Sequence, residues 1–503
     1  MRNWIATDAL ARHAKACPRK PACVDFASGR SWTYLELDAA VERTACALAG
    51  HFGISDGVRV AVLAHNSADL LIVQQATMRL GAIFVPLNWR LSSSEQERIL
   101  KDCTPSLVVT NLASVWENIP NLRVIGWSGF LALVENASPE ARARSARSAD
   151  TPCILLYTSG TSGAPKGVIL TCANIFATAV NTAVICNVSS SSVFLCDAPM
   201  FHVIGLVTTI QAPLLHGGTI MISPGFDPVI TNERLADPAL GVTHYFCVPQ
   251  MADALRHSEG FQPENWRLVG LFTGGAPNPS TNVRWWLSRG IRMVDGFGMT
   301  EVGTTLGMPL DADILSAKAG SVGLPAPATA VRLVDEEGND VPDGRPGEFL
   351  VGGPNVSPGY WKLAAETSRS FTADGWLRTG DIGRRDADGF YYVVGRHKDM
   401  YISGGENVYP AEVEAALMEH EAVEDAAVIG ITDSRWGEVG RAFVVLKQNC
   451  SVDTTDLATH CGERIARYKI PKEFLVVETL PRTASGKVRK NMLRGLPIGR
   501  QAE

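Results

Sequence analysis

Short apolar runs and stretches of helical periodicity alternate along the first part of the chain. Residues 58–64 (VRVAVLA) have the length and apolar content of a buried parallel strand. Residues 67–80 follow with apolar positions at helical spacing, and residues 82–86 (AIFVP) form the next apolar run. Earlier in the chain, Thr33 and Glu36 fit a capping box that opens a helix. This strand–helix–strand order predicts parallel sheets that are covered by helices.

The pattern changes in the C-terminal third of the chain. The Gly-, Pro- and Asp-rich stretch 335–359 predicts turns and short antiparallel strands. Farther on, the apolar runs 426–431, 442–446 and 474–477 predict strands, and residues 457–468 predict a helix. We therefore expect an α/β protein with a smaller α+β module at its C-terminal end.

Two segments need a separate interpretation. Residues 135–150 are rich in Ala, Arg and Ser, which predicts an exposed helix or a linker between sub-lobes. Residues 201–222 are the best membrane candidate, but they hold two His, a Gln, a Pro and three Gly, so we predict buried core. The first twenty residues lack the apolar core of a secretory signal peptide.

Composition narrows the class of protein. A chain of 503 residues with 46% hydrophobic and 19% charged residues is neither disordered nor fibrous. Its 46 Lys and Arg against 52 Asp and Glu give a net charge of −6, which disfavours a general nucleic-acid binder. The eleven Cys form no CxxC pair and no zinc-like spacing. They predict reduced, buried thiols in a cytoplasmic protein.

A polar loop concentrates hydroxyl groups and glycines in residues 157–167 (YTSGTSGAPKG), directly after the apolar run 153–156. Glycine lets the backbone approach an anion closely, and Lys166 adds a positive charge, so the loop suits a polyphosphate. It is not a Walker A loop, because Pro165 precedes the lysine and Gly167 follows it where Ser or Thr is required. A flexible surface loop is the plain alternative.

Six further motifs follow this loop in order: 199–205 (PMFHVIG), 273–277 (TGGAP), 295–301 (DGFGMTE), 376–381 (WLRTGD), 395–412 (GRHKDMYISGGENVYPAE) and 481–490 (PRTASGKVRK). With these motifs the chain resembles the adenylate-forming superfamily, which includes acyl-CoA synthetases, aryl-CoA ligases, amino-acid adenylation domains and beetle luciferases. The resemblance implies a large N-terminal domain, residues 1–396, of helix-covered, mainly parallel sheets plus a β-rich sub-lobe. It also implies a small, mobile α+β lid domain, residues 397–503.

The resemblance assigns roles to the residues at matching positions. Glu301 would hold Mg²⁺, a cation that prefers carboxylate and phosphate oxygens. Phe297 would stack on adenine, and Asp381 would accept hydrogen bonds from the ribose hydroxyls. The implied catalytic residues are Lys487, Thr158, Lys166, His202 and Glu301. The implied ATP and AMP contacts are Thr158, Ser159, Gly160, Thr161, Ser162, Gly163, Lys166, Gly274, Gly275, Ala276, Gly296, Phe297, Gly298, Met299, Thr300, Asp381, Arg396 and Lys487.

The resemblance also implies where the acid and CoA would bind. Lys398 would be the hinge between the domains, and the CoA contacts would be Gly404, Gly405 and Trp436. The acid pocket would be lined by His202, Ile204, Gly205, Val302 and Gly303. We expect this lining to be apolar and roomy.

Two positions bear on the choice of acid. Amino-acid adenylation domains carry an Asp at the position of Val203, so an α-amino acid is disfavoured. Malonate-type synthetases carry an Arg at the position of Gly296, so a second carboxylate lacks an obvious partner here. A neutral fatty or aryl acid therefore fits, and we favour a fatty acid slightly.

The implied activity is that of an ATP-dependent carboxylate–CoA ligase. It would activate a medium- or long-chain fatty acid or an aryl acid as acyl-AMP and transfer the acyl group to CoA, releasing AMP and pyrophosphate. A hydroxycinnamate-like aryl substrate, or a separate carrier protein as acceptor, is the alternative. ATP, Mg²⁺ and coenzyme A would be required, and nucleic acid would not be a partner. Peripheral membrane contact and homo-oligomerisation stay open.

Two more distant classes share these motifs. A luciferase-like oxygenase would differ by oxygen-dependent light emission. A non-catalytic nucleotide-binding protein would not need both Glu301 and Lys487, so their joint presence argues against that class.

Overall fold

The computed structural model describes residues 8–112, 116, 119, 122–137, 148–159, 165–276, 278–403, 406–482 and 488–494. Within these ranges, no helix combines the length and the apolar character needed to cross a bilayer. All eleven cysteines fall in the described ranges, and nine of them are buried, as the sequence predicts. The predicted linker 135–150 lies largely outside the described residues.

The first sheet has six strands. Their spatial order is Val124–Gly126, Leu107–Thr110, Arg59–Leu63, Ile83–Pro86, Pro152–Ser159 and Pro165–Thr171. The first five run parallel, and the last turns back as an antiparallel hairpin. Alternate side chains of the central strands enter two different apolar clusters, one on each face of the sheet. This arrangement confirms the buried parallel strands that the apolar runs predict.

The second sheet has nine strands. Their spatial order is Leu324–Pro325, Gly303–Gly307, Met293–Met299, Gly270–Thr273, His244–Cys247, Val193–Cys196, Thr219–Ile222, Pro21–Asp25 and Ser31–Thr33. The six strands from Met293–Met299 to Pro21–Asp25 are parallel, and the outer strands are antiparallel. The carboxyl ends of the parallel strands therefore meet along one edge, where ligands bind in sheets of this type.

Two smaller sheets follow. One is antiparallel, with the order Ala330–Val334, Gly347–Gly352, Leu377–Arg385 and Tyr391–Arg396. The other has the order Glu406–Val408, Tyr401–Ser403, Gly437–Leu446 and Val423–Asp433, with Glu473–Val476 parallel to Gly437–Leu446. The expected domain boundary at 396/397 falls in the short gap between these two sheets.

Helices cover the sheets. The α-helices of the described residues are Ala9–Ala16, Tyr34–Phe52, Ala68–Arg79, Ser93–Cys103, Trp127–Glu135, Cys172–Ile185, Thr209–His216, Pro228–Ala236, Pro249–His257, Ser280–Ser288, Ala312–Ala317, Ala364–Arg369, Pro410–Met418, Thr454–Gly462 and Lys490–Leu493. A π-helix spans Ile204–Thr208, and short 3₁₀ helices span Pro263–Asn265, His397–Asp399 and Arg467–Lys469.

Local sequence signals fix several of these helix ends. Thr33 and Glu36 form the predicted capping box at the start of Tyr34–Phe52. The helix expected over 457–468 begins earlier, at Thr454, because the side chain of Asp453 caps it, and it ends at Gly462. The segment 201–222 is buried core, as predicted, with Leu206, Ile210 and Leu214 in the main apolar cluster.

Candidate nucleotide and acid site

A β-hairpin carries the two ends of the predicted phosphate loop. Strands Pro152–Ser159 and Pro165–Thr171 pair in antiparallel register, with Thr158 opposite Lys166. Thr158 and Lys166 therefore emerge together from the edge of the six-stranded sheet. The side chain of Ser159 and all of Gly160, Thr161, Ser162 and Gly163 lie outside the described residues.

Lys166 is the cation at the centre of a charged array. Its Nζ forms an ion pair with Glu366 Oε2 at 2.6 Å and lies 5.4 Å from the centre of the Tyr360 ring. The hydrogen bond from Lys166 holds the pKa of the Glu366 carboxyl below its usual value. The Tyr360 hydroxyl donates to Glu301 Oε1 at 2.9 Å. Burial, with the charge of Glu301, raises the pKa of Tyr360, so this phenol stays a hydrogen-bond donor.

Tyr360 reaches this array because its segment runs beside the hairpin. Ile169 N donates to Gly359 O at 3.0 Å, and Trp361 N donates to Gly167 O at 2.7 Å. Sequence reasoning missed Tyr360 and Glu366, since no motif marks them. The aromatic pair after Gly359 is the one weak local signal for this contact.

Glu301 is the residue that the sequence predicts to hold Mg²⁺. It is 7% exposed, and Tyr360 anchors one of its carboxylate oxygens. The part of the chain that the structure describes holds no group of three or more His, Cys, Asp or Glu that could bind a metal alone. A single anchored carboxylate fits Mg²⁺, which takes its other ligands from phosphate oxygens and water.

Two strand ends form the predicted adenine wall. Thr273 lies opposite Asp295 in the parallel register, so the loops that follow them are neighbours. A Cβ on Gly274 would lie 3.1 Å from the Gly296 carbonyl oxygen, so glycine permits this close approach. Phe297 stacks on Phe349, with ring centres 5.2 Å apart and planes 19° from parallel.

The other residues of the predicted adenine wall lie in the loop after Gly270–Thr273 and at the end of strand Met293–Met299. Gly275 has φ of +80°, a left-handed conformation that suits glycine, and Ala276 comes next in the loop. A Cβ on Gly298 would lie 2.2 Å from the Gly303 carbonyl oxygen, so the hairpin closes tightly there. Met299 ends the strand, and Thr300 follows in the turn. The structure thus brings the predicted residues of motifs 273–277 and 295–301 together.

Asp295 is a buried carboxyl that sequence reasoning left without a role. It accepts hydrogen bonds from Thr273 Oγ1 and from Gly296 N, both at 3.1 Å. Burial raises its pKa to about 7 despite these bonds. Asp295 therefore ties together the two strand ends that carry the predicted adenine wall.

Asp381 and Arg396, the predicted ribose contacts, lie opposite each other on neighbouring strands. Arg396 Nε is 2.9 Å from Asp381 Oδ1. The Asp381 carboxylate is buried, whereas the Arg396 side chain is 40% exposed. Arg396 therefore orients the Asp381 carboxylate and balances its charge at the end of the four-stranded sheet.

The acid side begins where strand Val193–Cys196 ends. His202 contacts Phe201 edge to face, with ring centres 4.6 Å apart. Ile204 opens the π-helix, and its Cδ1 would lie 3.7 Å from a Cβ on Gly275. Ile204 therefore joins the acid side to the adenine wall.

Close packing surrounds three of the residues predicted to line the acid pocket. A Cβ on Gly205 would lie 2.3 Å from Pro199 O, and one on Gly303 would lie 2.1 Å from Thr178 Oγ1. Val302 is fully buried in an apolar cluster. The crevice beside Gly303 has no room for a water molecule. It is lined in part by Asn174, Ile175, Thr178, Val203, Thr300 and Gly303. Helix Cys172–Ile185 packs against the turn at Gly303 and closes the space there, so the roomy acid pocket stays a prediction.

The predicted hinge and CoA residues lie in the C-terminal part. Lys398 belongs to the 3₁₀ helix between the two small sheets. Trp436 is 41% exposed in a turn whose Gly437 pairs with Ser403, and Arg435 lies 5.0 Å from its ring centre. An exposed Trp beside a cation fits a phosphorylated, partly apolar ligand. The predicted Gly404, Gly405 and Lys487 lie outside the described residues.

Comparisons with known proteins cover nearly the whole chain. The family model described as AMP-binding enzyme matches residues 10–361, and the model of the AMP-binding enzyme C-terminal domain matches residues 412–487. An indoleacetate–CoA ligase of Aromatoleum aromaticum is 36% identical over 96% of both chains. A feruloyl-CoA synthase of an Amycolatopsis species is 38% identical over 98% of this chain and 99% of the relative.

A solved structure extends the likeness to three dimensions. The o-succinylbenzoate CoA synthetase of Bacillus subtilis in complex with an acyl-adenylate intermediate has a TM-score of 0.88 to this chain and 31% identity. The match covers 99% of this chain and 100% of that chain. The same synthetase was also solved with ATP and a magnesium ion.

Proposed function

The chain belongs to the AMP-binding enzymes, and from that membership we propose that it activates an aryl carboxylic acid. It is an AMP-forming acid–thiol ligase that uses ATP, Mg²⁺ and coenzyme A. The reaction joins the acid to CoA by way of an acyl-AMP, and it releases AMP and pyrophosphate. We choose an aryl acid over the slightly favoured fatty acid because the curated relatives reported above are by name aryl-acid ligases.

The array of Lys166, Tyr360 and Glu301 carries this proposal. Lys166 pairs with Glu366 and lies over the Tyr360 ring, and the Tyr360 hydroxyl donates to Glu301. These contacts hold a cation and a carboxylate together at the end of the hairpin. An acid carboxylate and a triphosphate repel each other, so their reaction needs positive charge gathered at this place. We assign Lys166 and the nearby loop to the phosphates and Glu301 to Mg²⁺.

The curated relatives support the choice of an aryl acid. By name they are ligases of indoleacetate and of a feruloyl group, and they match this chain over nearly its whole length. A flat ring also has few bonds to order on binding, whereas a long flexible chain must be ordered over many.

The first half-reaction forms the acyl-AMP. The carboxylate oxygen attacks the α-phosphorus of ATP, the bond from that phosphorus to the bridging oxygen breaks, and pyrophosphate leaves. We assign charge stabilisation in this step to Lys166 and Lys487. Glu301 would hold Mg²⁺, which would supply further neutralisation of phosphate charge. His202 and Phe201 border the acid and help to keep water from the mixed anhydride.

The second half-reaction transfers the acyl group to CoA. The thiolate attacks the acyl carbon, and AMP leaves. We propose that residues 397–503 swing about Lys398 between the two steps, so that Lys487 leaves the site and the Gly404–Gly405 segment with Trp436 approaches it. Lys487→Ala is then expected to block adenylation but largely spare thioester formation from supplied acyl-AMP. Equal loss of both half-reactions would contradict the swing.

The first experiment is a substrate panel. The purified protein is incubated with ATP, Mg²⁺, CoA and a pool of aryl, fatty and dicarboxylic acids, and acyl-CoA masses are measured. A dominant aryl thioester supports the proposal, and a dominant fatty or dicarboxylic thioester refutes the choice of acid. AMP release without a thioester would move the acceptor from CoA to a carrier protein.

A further inference from the structure

Two cysteine side chains meet at the base of the hairpin that carries the phosphate loop. Cys153 lies near the start of strand Pro152–Ser159, and Cys172 is the first residue of helix Cys172–Ile185. Their sulfur atoms are 2.9 Å apart in the buried interior. Both are thiols in this structure rather than partners in a disulfide.

The main chain holds the two residues in this arrangement. Pro152 pairs with Thr171 and Ile154 pairs with Leu170, with a register irregularity at the position between them. Cys172 N donates to Thr151 O at 3.0 Å, which ties the helix start to the strand start. Because a disulfide has an S–S distance of about 2.05 Å, a shift of roughly 1 Å or less would bring the sulfurs to bonding distance.

A cavity gives a small oxidant access to Cys172. This residue lines a surface cavity with about 70 Å³ of room for water-sized molecules. Gln75, Met78, Phe176 and Leu215 form other parts of its wall. The cysteine residues are at most 3% exposed, so a molecule of peroxide size can enter where a protein oxidant cannot.

We propose that Cys153 and Cys172 form a reversible disulfide that closes the phosphate hairpin at its base and slows adenylation. Hydrogen peroxide oxidises one thiol to a sulfenic acid, and one water leaves. The second thiol then attacks that sulfur, the S–S bond forms as the S–O bond breaks, and a second water leaves. A dithiol reverses the change by thiol–disulfide exchange, which returns two electrons and two protons to the pair.

The expected effect on catalysis follows from what the linked elements carry. The strand leads to Thr158 and, across the hairpin, to Lys166. The helix carries Asn174 and Thr178, which line the crevice next to Gly303. A covalent bond at the base therefore constrains both the phosphate loop and the crevice beside Gly303.

Peptide mapping of the full-length protein tests the disulfide. Reduced, desalted protein is treated with a few-fold excess of hydrogen peroxide, and we expect a linked peptide pair that contains Cys153 and Cys172. ATP–pyrophosphate exchange should fall at least threefold and recover with dithiothreitol. The exchange assay omits CoA, because its thiol would reduce the disulfide.

Serine variants provide the matched comparison. Cys153→Ser and Cys172→Ser should each lose the linkage and the sensitivity of exchange to peroxide. Cys186→Ser removes a buried thiol at the other end of the same helix and should keep both. If a serine variant fails to fold, mapping of the wild-type protein still decides the disulfide.

Two outcomes overturn the proposal. Absence of the linked pair in oxidised wild-type protein removes the disulfide, and a linked pair with unchanged exchange removes its control of adenylation. The effect on exchange rests on the proposed function. A reduced protein without exchange on any acid would contradict that function, whereas the mapping would still decide whether the disulfide forms.

Discussion

On the proposed nucleotide side of the site, charged and polar side chains meet in pairs, whereas on the proposed acid side backbone atoms and small residues fill the space. The nucleotide side is Lys166 with Glu366, Tyr360 with Glu301, and Asp381 with Arg396. The acid side is the packing of Gly205 on Pro199 O and of Gly303 on Thr178. Substitutions that change charge should therefore affect the nucleotide side most, and substitutions that change side-chain volume should affect the acid side most.

The contrast has a physical cause. Phosphates carry charge that any enclosing site must neutralise, so ion pairs and hydrogen bonds are needed there. An apolar ring carries no charge that the site must neutralise. It is selected by its shape, so the close packing of the surrounding atoms decides which acid can bind. Four substitutions test this division, in order of decreasing expected effect.

The largest effect is expected from Glu301→Gln. This change removes a charge on the nucleotide side but keeps an acceptor for the Tyr360 hydroxyl. ATP–pyrophosphate exchange should fall by about 100-fold or more, since a preorganised electrostatic contact to the transition state is lost. The melting temperature should stay close to that of the wild type. Tyr360→Phe, which keeps the carboxylate, should lose only about tenfold, and an equal loss would contradict the role of Glu301 at Mg²⁺.

The next effect is expected on the acid side from Gly205→Ala. The added methyl group would lie 2.3 Å from Pro199 O, and backbone atoms cannot move aside as a flexible side chain can. Overpacking of this kind should reduce the free energy of unfolding by ~2 kcal/mol, as measured by chemical denaturation. Gly225→Ala is the control, because no atom lies within 4 Å of its added Cβ. Similar stability of the two variants would show that the acid side is looser than described.

Ile204→Ala should affect binding of the acid more than binding of ATP. Its side chain faces the Gly275 loop from the acid side, so its loss opens space beside the acid. KM for the acid should rise about tenfold while KM for ATP changes little, since a few methylene groups of contact are lost. Ile230→Ala, at an exposed position, should change neither constant. A larger rise in KM for ATP than for the acid would assign Ile204 to the nucleotide side.

The smallest effect is expected from Glu366→Gln. Glu366 holds Lys166 by an ion pair that must loosen when phosphates bind. Removing that competing charge should lower KM for ATP by about threefold and make KM rise more steeply with ionic strength, because the site becomes more positive. Glu463→Gln, which alters an exposed pair with Arg464, is the control. A higher KM for ATP would mean that Glu366 positions Lys166 rather than competes for it.

Local signals in the sequence predicted a large part of the fold. The apolar runs located the parallel strands, Thr33 and Glu36 located a helix start, and the composition of 201–222 separated buried core from a membrane span. These features are predictable because strand periodicity, capping and hydropathy act over a few residues. The helix predicted over 457–468 begins earlier in the structure, because the side chain of Asp453 caps it.

The order of the motifs, which the sequence contains by itself, determined the family and the cofactors, and it predicts the residues of the nucleotide side. Only the tertiary structure decided that Tyr360 and Glu366 meet Lys166, a contact that joins positions 200 residues apart. It alone also decided that Thr178 fills the space beside Gly303 and makes the crevice narrow. The physical reason is that a motif records the chemistry of one chain segment, whereas the width of a pocket depends on how distant segments pack against each other.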